Sequence, residues 1–253
     1  MARDRTPSRH RHRLRHRHAR VIAASVAALA LAGTALAEIP VSAAGQPRGH
    51  DVSSHQKNVD WQKAKSRGAR FVYVKATESH TYRNPHFEQQ YNGSRRAGII
   101  RGAYHFAVPS KSSGRKQAAY FMDHGGKWRA DGWTLPPALD VENNPYGSHK
   151  CYGVGRTGMV DWIKSFSDEV VRQTGRRPVI YTTTKWWDDC TGGSRAFGSD
   201  HALWLARWSS TPGKLPAGWS FQTIWQYANS GRLPGDQNLF NGSPDQLKRF
   251  ARG

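Results

Sequence analysis

The chain has 253 residues, 37% hydrophobic and 11% aromatic, with 38 Lys and Arg against 18 Asp and Glu and a formal net charge of +20. Ten Trp, nine Tyr and nine Phe exclude a wholly disordered chain, and the length suits one large or two small domains. No apolar run is long enough, once its flanks are considered, to hold a folded protein across a bilayer, which argues against an integral membrane protein.

In chain order, the first segment reads as an address rather than as part of a fold. Residues 1–20 carry eight Arg, four His and one Asp, so seven of the twenty net positive charges sit there and thirteen remain beyond. Val21–Ala37 is uncharged and apolar and ends in the small-residue pattern Ala35, Leu36, Ala37. A basic n-region, a short apolar h-region and an A-x-A site predict a secretory signal peptide over 1–37, cleaved after Ala37, with Ala43–Ala44 as second choice. The leader's arginines are separated by other residues, so the general secretory route is expected over the twin-Arg one. A nucleic-acid-binding arm is the competing reading, but such arms are not followed by an alanine-rich apolar stretch. Residues 38–49 then read as a short linker and 50–253 as one catalytic domain, without internal repeats.

Export would place the mature chain in an oxidising compartment. Its two cysteines, Cys151 and Cys190, therefore predict one disulfide, with a loop-closure contribution of about 4 kcal/mol in the chain-entropy model. No Cys-x-x-Cys or His-Glu-x-x-His spacing occurs, so no metal site is expected. The residual positive charge favours polyanions such as anionic wall polymers, a membrane surface or stray nucleic acid, without choosing among them.

From His50 onward, short apolar stretches alternate with longer amphipathic ones. Strands are predicted over Phe71–Ala76, Gly102–Ala107, Pro137–Glu142, Pro178–Thr183, Leu203–Trp208 and Phe221–Tyr227, and helices over Asp60–Arg67, Phe87–Ala97, Arg115–Met122 and Met159–Gln173. Alternating strands and helices imply a parallel sheet with helical crossovers, so the expected fold is α/β. Several later connections are too short for full helices, which predicts a single irregular (β/α) barrel with incomplete helices in its second half. A doubly wound open sheet is the alternative, but no glycine-rich phosphate loop follows the first strand.

Acids are few, so their positions matter. Asp140 and Glu142 stand at i and i+2, which on a strand puts both on one face while Leu139 and Val141 take the other. Asn143–Pro145 ends the strand there, and the C-terminal strand ends of a barrel are where active sites form. Two adjacent carboxyls cannot both ionise freely, and such a pair suits general acid/base chemistry on a glycosidic bond. A structural pair satisfying backbone or Arg donors is the competing reading. Asp51, near the first strand mouth, either faces the same cleft or serves as a cap or turn residue, and Asp236 reads locally as a turn. Tyr104, Phe106, Tyr181, Trp204, Trp208, Trp225 and Tyr227 fall near strand ends, where rings either stack on sugars or pack the core. His105 reads as a satisfied core group.

Together these pieces resemble the glycoside hydrolase family 25 lysozymes of the Chalaropsis type. The resemblance spans His50 to Phe250 and rests on DVSSHQ at 51–56, VDW at 59–61, FVYVKATE at 71–78, AGIIRGAYHF at 97–106, LDVE at 139–142, IYT at 180–182, LWLARW at 203–208 and WQY at 225–227. It implies a secreted muramidase that needs no cofactor and hydrolyses the β-1,4 bond after N-acetylmuramic acid in peptidoglycan. Position by position it implies Glu142 as general acid and Asp140 as the assisting acid, stabilising charge at the sugar or orienting the acetamido group. Asp51 corresponds to the acid of the first strand. The implied substrate-binding set is Tyr104, Tyr181, Trp204, Trp225, Tyr227 and Asp236. The expected partners are peptidoglycan glycan strands and, by charge, anionic cell-wall polymers, with no specific nucleic acid, and the chain is expected to be monomeric and extracellular. One departure is visible: Pro234–Gly235 runs directly into Asp236, where family members carry a longer glycine-rich stretch. A non-catalytic wall-binding module, a chitin-active glycosidase and a polyanion-binding protein are the rival readings. Retention of both Asp140 and Glu142 argues against the first, and Ala138, where a chitinase would have another acid, against the second.

Overall fold

The computed structural model describes residues 45–253; the leader, its cleavage site and most of the linker read from the sequence lie outside the described residues. The strands are β1 (Arg48–Val52), β2 (Phe71–Glu78), β3 (Tyr82–Arg83), β4 (Ile100–Phe106), β5 (Ala138–Asp140), β6 (Val179–Thr182), β7 (Leu203–Ala206), β8 (Ile224–Ala228) and β9 (Asp236–Phe240). The helices are α1 (Trp61–Ser66), α2 (Phe87–Arg96), α3 (Gly114–Asp123), α4 (Arg156–Thr174), α5 (Thr184–Thr191) and α6 (Pro244–Arg252). The ladder runs β1-β9-β8-β7-β6-β5-β4-β2, and β1 pairs with β2, so eight strands close a barrel with β3 appended to β2 as a short hairpin. β9 is antiparallel to both its neighbours, while the other barrel pairs are parallel.

The expected irregularity is present. Each crossover up to β7 carries a helix, whereas no helix joins β7 to β8 or β8 to β9 among the described residues. Local chemistry sets the helix ends. Asp60 Oδ1 accepts the Lys63 N–H at 2.9 Å to start α1, Thr183 Oγ1 accepts the Trp186 N–H at 3.1 Å to start α5, and α4 stops at Gly175 with φ of 70°.

Strand alternation sorts the side chains into two layers. Phe71, Tyr73, Tyr104, Ala138, Val179, Tyr181, Trp204, Ile224 and Phe240 fill the barrel interior. Leu139, Val141, Ile180, Leu203 and Leu205 face outward onto the helices. Glycine makes the interior possible at two places: a Cβ on Gly49 would lie 2.4 Å from the Phe71 ring, and one on Gly102 would lie 2.4 Å from that of Tyr73. Cys151 and Cys190 form the predicted disulfide, with Cα atoms 5.4 Å apart, tying the loop after β5 to the end of α5.

Two boundaries differ from the sequence reading. β1 begins at Arg48, two residues inside the stretch read as linker, because Arg48 and Gly49 already have partners on β9. Asp236 is not in a turn: it opens β9, directly opposite Asp51, and the turn residue is Gly235 with φ of 76°. A Cβ at 235 would lie 2.0 Å from the Asp51 carbonyl oxygen, so the hairpin from β8 can come this close to β1 only through glycine.

Candidate active site

A cleft of about 230 Å³ opens at the C-terminal ends of the parallel strands, where the fold class places its reaction centres. Because β9 runs the other way, its first residue reaches the same mouth. Asp51 from β1, Asp140 from β5, Glu142 just beyond it and Asp236 from β9 all line the cleft. β5 is shorter than predicted, but the Val141 N–H still donates to the Tyr181 carbonyl at 3.0 Å. Extended pairing therefore persists to Val141, and Asp140 and Glu142 share the interior side as their spacing required.

Four carboxyls in a space this size cannot all be charged. Burial and the neighbouring Asp236 push the Asp51 carboxyl up to about 8, against the pull of its two amide donors. Burial raises Glu142 to about 7 and Asp236 to about 6. Asp140, 6% exposed, is held well above the usual carboxylate range by burial and by the adjacent Glu142. The Lys75 ammonium, also lining the cleft, draws both Asp140 and Glu142 the other way. Lys75 is itself fixed by Glu78 Oε2 at 2.5 Å and lies over the Phe106 ring at 4.6 Å. At neutral pH the cleft thus holds protonated and ionised carboxyls side by side, the condition general acid catalysis needs.

Asp51 is the most firmly positioned of the four. Its Oδ2 accepts the Gln226 side-chain amide at 3.0 Å and that of Asn238 at 2.7 Å. Gln226 Oε1 in turn accepts Tyr181 O–H and Trp208 Nε1–H, each at 3.0 Å, and Asn238 Oδ1 accepts Trp204 Nε1–H at 2.8 Å. Tyr104, Tyr181 and Trp204 line the cleft as expected. Trp204 is 1% exposed and serves as its floor, stacked on Tyr73 at 4.7 Å between ring centroids.

Trp225 and Tyr227, expected to bind substrate, do not line the cleft. Alternation along β8 turns Gln226 inward and those two rings outward, where they pack with Leu239 and the Trp225 indole N–H donates to the Arg207 carbonyl. Gln226 and Asn238, which face inward, carry no titrating group to mark them in the sequence. The signal available for them was period two alone: each stands two residues from another inward position. Trp208, 60% exposed, stands at the rim. His105 is fully buried between Thr77 Oγ1 at 2.8 Å and Gln117 Oε1 at 3.0 Å on the outer side of β4, and burial lowers its pKa to about 3. A larger hollow of about 650 Å³ lies at the opposite barrel end, but Asp200, the carboxylate lining it, is bound by Arg177 at 3.1 Å.

The family model for glycosyl hydrolases family 25 matches residues 50–236, from the strand bearing Asp51 to Asp236 itself. The chain belongs to this family. An N,O-diacetylmuramidase of Arthroderma benhamiae is 47% identical over 91% of this chain and 96% of its own length. One from a Chalaropsis species is 48% identical over 81% of this chain and 99% of its own. Among solved structures, a family 25 lysozyme from Aspergillus fumigatus superposes with a TM-score of 0.81 at 45% identity, covering 82% of this chain and all of that one. The chain is thus a glycoside hydrolase built on a (β/α) barrel.

Proposed function

We propose that the chain is a muramidase that hydrolyses the β-1,4 bond between N-acetylmuramic acid and N-acetylglucosamine in peptidoglycan, with Glu142 as its general acid. The single observation carrying the assignment is the placement of Glu142 at the C-terminal mouth of the barrel, lining one cleft with Asp51, Asp140 and Asp236, where burial raises its carboxyl to about 7. Similarity to relatives named N,O-diacetylmuramidase at 47% and 48% identity supports the substrate class and extends it to O-acetylated muramic acid.

In this reading Glu142 protonates the departing glycosidic oxygen as positive charge grows at the sugar. Asp140 serves the substrate's acetamido group through Oδ1, a buried oxygen with no protein partner among the described residues. Asp51 and Asp236 face the same bond from the opposite wall. Tyr104 and Tyr181 supply the surface for the sugar ring, with Trp204 packed beneath them. Residues 1–37 serve as the export signal, the mature domain acts as an extracellular monomer, and its positive charge concentrates it at anionic wall polymers.

The test is digestion of purified peptidoglycan by the mature domain, then borohydride reduction and identification of the new reducing-end sugar, with Glu142→Gln alongside. Muramitol formed only by the unsubstituted protein is the expected result. Glucosaminitol, or no new reducing end, overturns it.

A further inference from the structure

A second groove, of about 420 Å³, lies beside the cleft on the same end of the barrel. The two share strands: β6 sends Tyr181 into the cleft and runs on to Thr183 at the groove, and β7 does the same with Trp204 and then Ala206 and Arg207. Lys185, on the first turn of α5, and Lys214, on the loop between β7 and β8, form its walls.

The groove is built rather than incidental. Thr184 Oγ1 donates to the Lys214 carbonyl at 2.6 Å, fixing the loop against α5. Gly213 has φ of 63°, and a Cβ there would fall 1.3 Å from Arg207 Nη1, so the loop leaves out a side chain where the guanidinium lies. Its charge is positive in excess. Asp189 holds Lys185 at 3.1 Å and also Lys150, and Asp188 is 3.8 Å from Lys214. Arg207 has no carboxylate partner among the described residues; its nearest acceptor is the Pro212 carbonyl at 3.5 Å. The opposite rim differs: Lys75 there is bound by Glu78, which also accepts the Tyr146 hydroxyl, and among the described residues no arginine lines the cleft beside it.

We propose that this groove binds the anionic stem peptide that peptidoglycan carries on its muramic acid residues. The inference rests on the muramidase reading. A muramic acid bound in the cleft must send its peptide out over one rim, and the peptide bears carboxylates on its glutamate and at its terminus. The β6–β7 rim offers those carboxylates the Arg207 guanidinium, unpaired among the described residues and suited to two-point recognition, flanked by Lys185 and Lys214, which Asp189 and Asp188 hold in place.

The experiment compares kcat/KM, from reducing-end release at low ionic strength, on peptidoglycan bearing its peptides and on the same glycan stripped by an amidase. The wild-type domain is expected to favour the peptide-bearing substrate about tenfold, a ratio that falls to about one in the Lys185→Ala, Arg207→Ala, Lys214→Ala triple variant and in about 0.5 M salt. Equal rates on both substrates in the wild type overturn the inference and leave the muramidase reading standing. Failure to cut either substrate overturns both. Equal wild-type rates on both substrates, with a loss in the triple variant that appears only while phosphodiester wall polymers are attached, overturn it in favour of those polymers.

Discussion

Gly235→Ala tests how the two ends of the domain build one site. The substitution adds a methyl group 2.0 Å from the Asp51 carbonyl oxygen, where real Cβ contacts under 3.0 Å essentially never occur, so the hairpin and β1 must part by about 1 Å. It also forces an L side chain to φ of 76°, costing roughly 1–2 kcal/mol. With strain of about 1–3 kcal/mol from overpacking, the total is about 2–5 kcal/mol, or roughly 5–15 °C in Tm for a domain this size. Because Asp236 follows directly and Asp51 lies opposite, a shift of about 1 Å between them should also lower kcat about 100-fold. Gly175→Ala is the control: it carries the same backbone cost at φ of 70° but meets nothing within 4 Å and sits far from the cleft at the end of α4. Thermal unfolding followed by circular dichroism, with reducing-end release at saturating substrate, reads both effects. If Gly235→Ala loses no more activity than Gly175→Ala, the close approach of β1 and β9 does not position the acids and the reasoning fails.

The other expectations concern titration and cross-linking. Glu142→Gln should lower kcat about 100- to 10,000-fold while the fold is preserved and Tm near neutral pH is not lowered, and the wild-type rate should fall about tenfold per pH unit above about 7; a Gln variant keeping that alkaline limb would acquit Glu142. Asp51 titrates near 3.8 unfolded and about 8 folded, so between those values the folded state holds the extra proton and stability declines as pH rises. Asp51→Asn should therefore raise Tm relative to wild type at pH 8 and change it little at pH 4, and a pH-independent difference in calorimetry would count against the shift. The buried His50, lowered to about 4 with its Nδ1 donating to the Pro234 carbonyl at 2.6 Å, works the other way. It contributes stability above about 6.5 that is lost as pH falls toward 4, so His50→Gln should flatten that part of the Tm profile. Replacing Cys151 and Cys190 by Ser opens a 39-residue span and should cost about 4 kcal/mol, roughly 10 °C in Tm; equal Tm values in the two proteins would show the bridge to be idle.

Much of the site was legible because strands enforce a period of two. That rule alone put Asp140 and Glu142 on one face, and the break at Asn143–Pro145 put them at the correct end of the barrel. On β8 the same rule puts Trp225 and Tyr227 on one face and Ile224 and Gln226 on the other, but both faces carry apolar residues, so the sequence does not mark which is inward. Asp236 was read as a turn because Pro234–Gly235 is a strong turn signal, and local sequence cannot show that the strand leaving that turn pairs with the first one. Gln226 and Asn238 left no chemical mark of their own. Their work is defined by Asp51, 175 and 187 residues away, and only barrel closure brings them to it.

Closure by an antiparallel last strand also has a consequence in time. Asp51 is among the first residues of the domain to be synthesised and Asp236 among the last, and the amides that hold Asp51 arrive on β8 and β9. A chain that stops short of Asn238 has its acid pair on β5 but neither a sealed barrel nor a seated Asp51. The seat of Asp51 is therefore the last part of the cleft to be completed, arriving with the final strand.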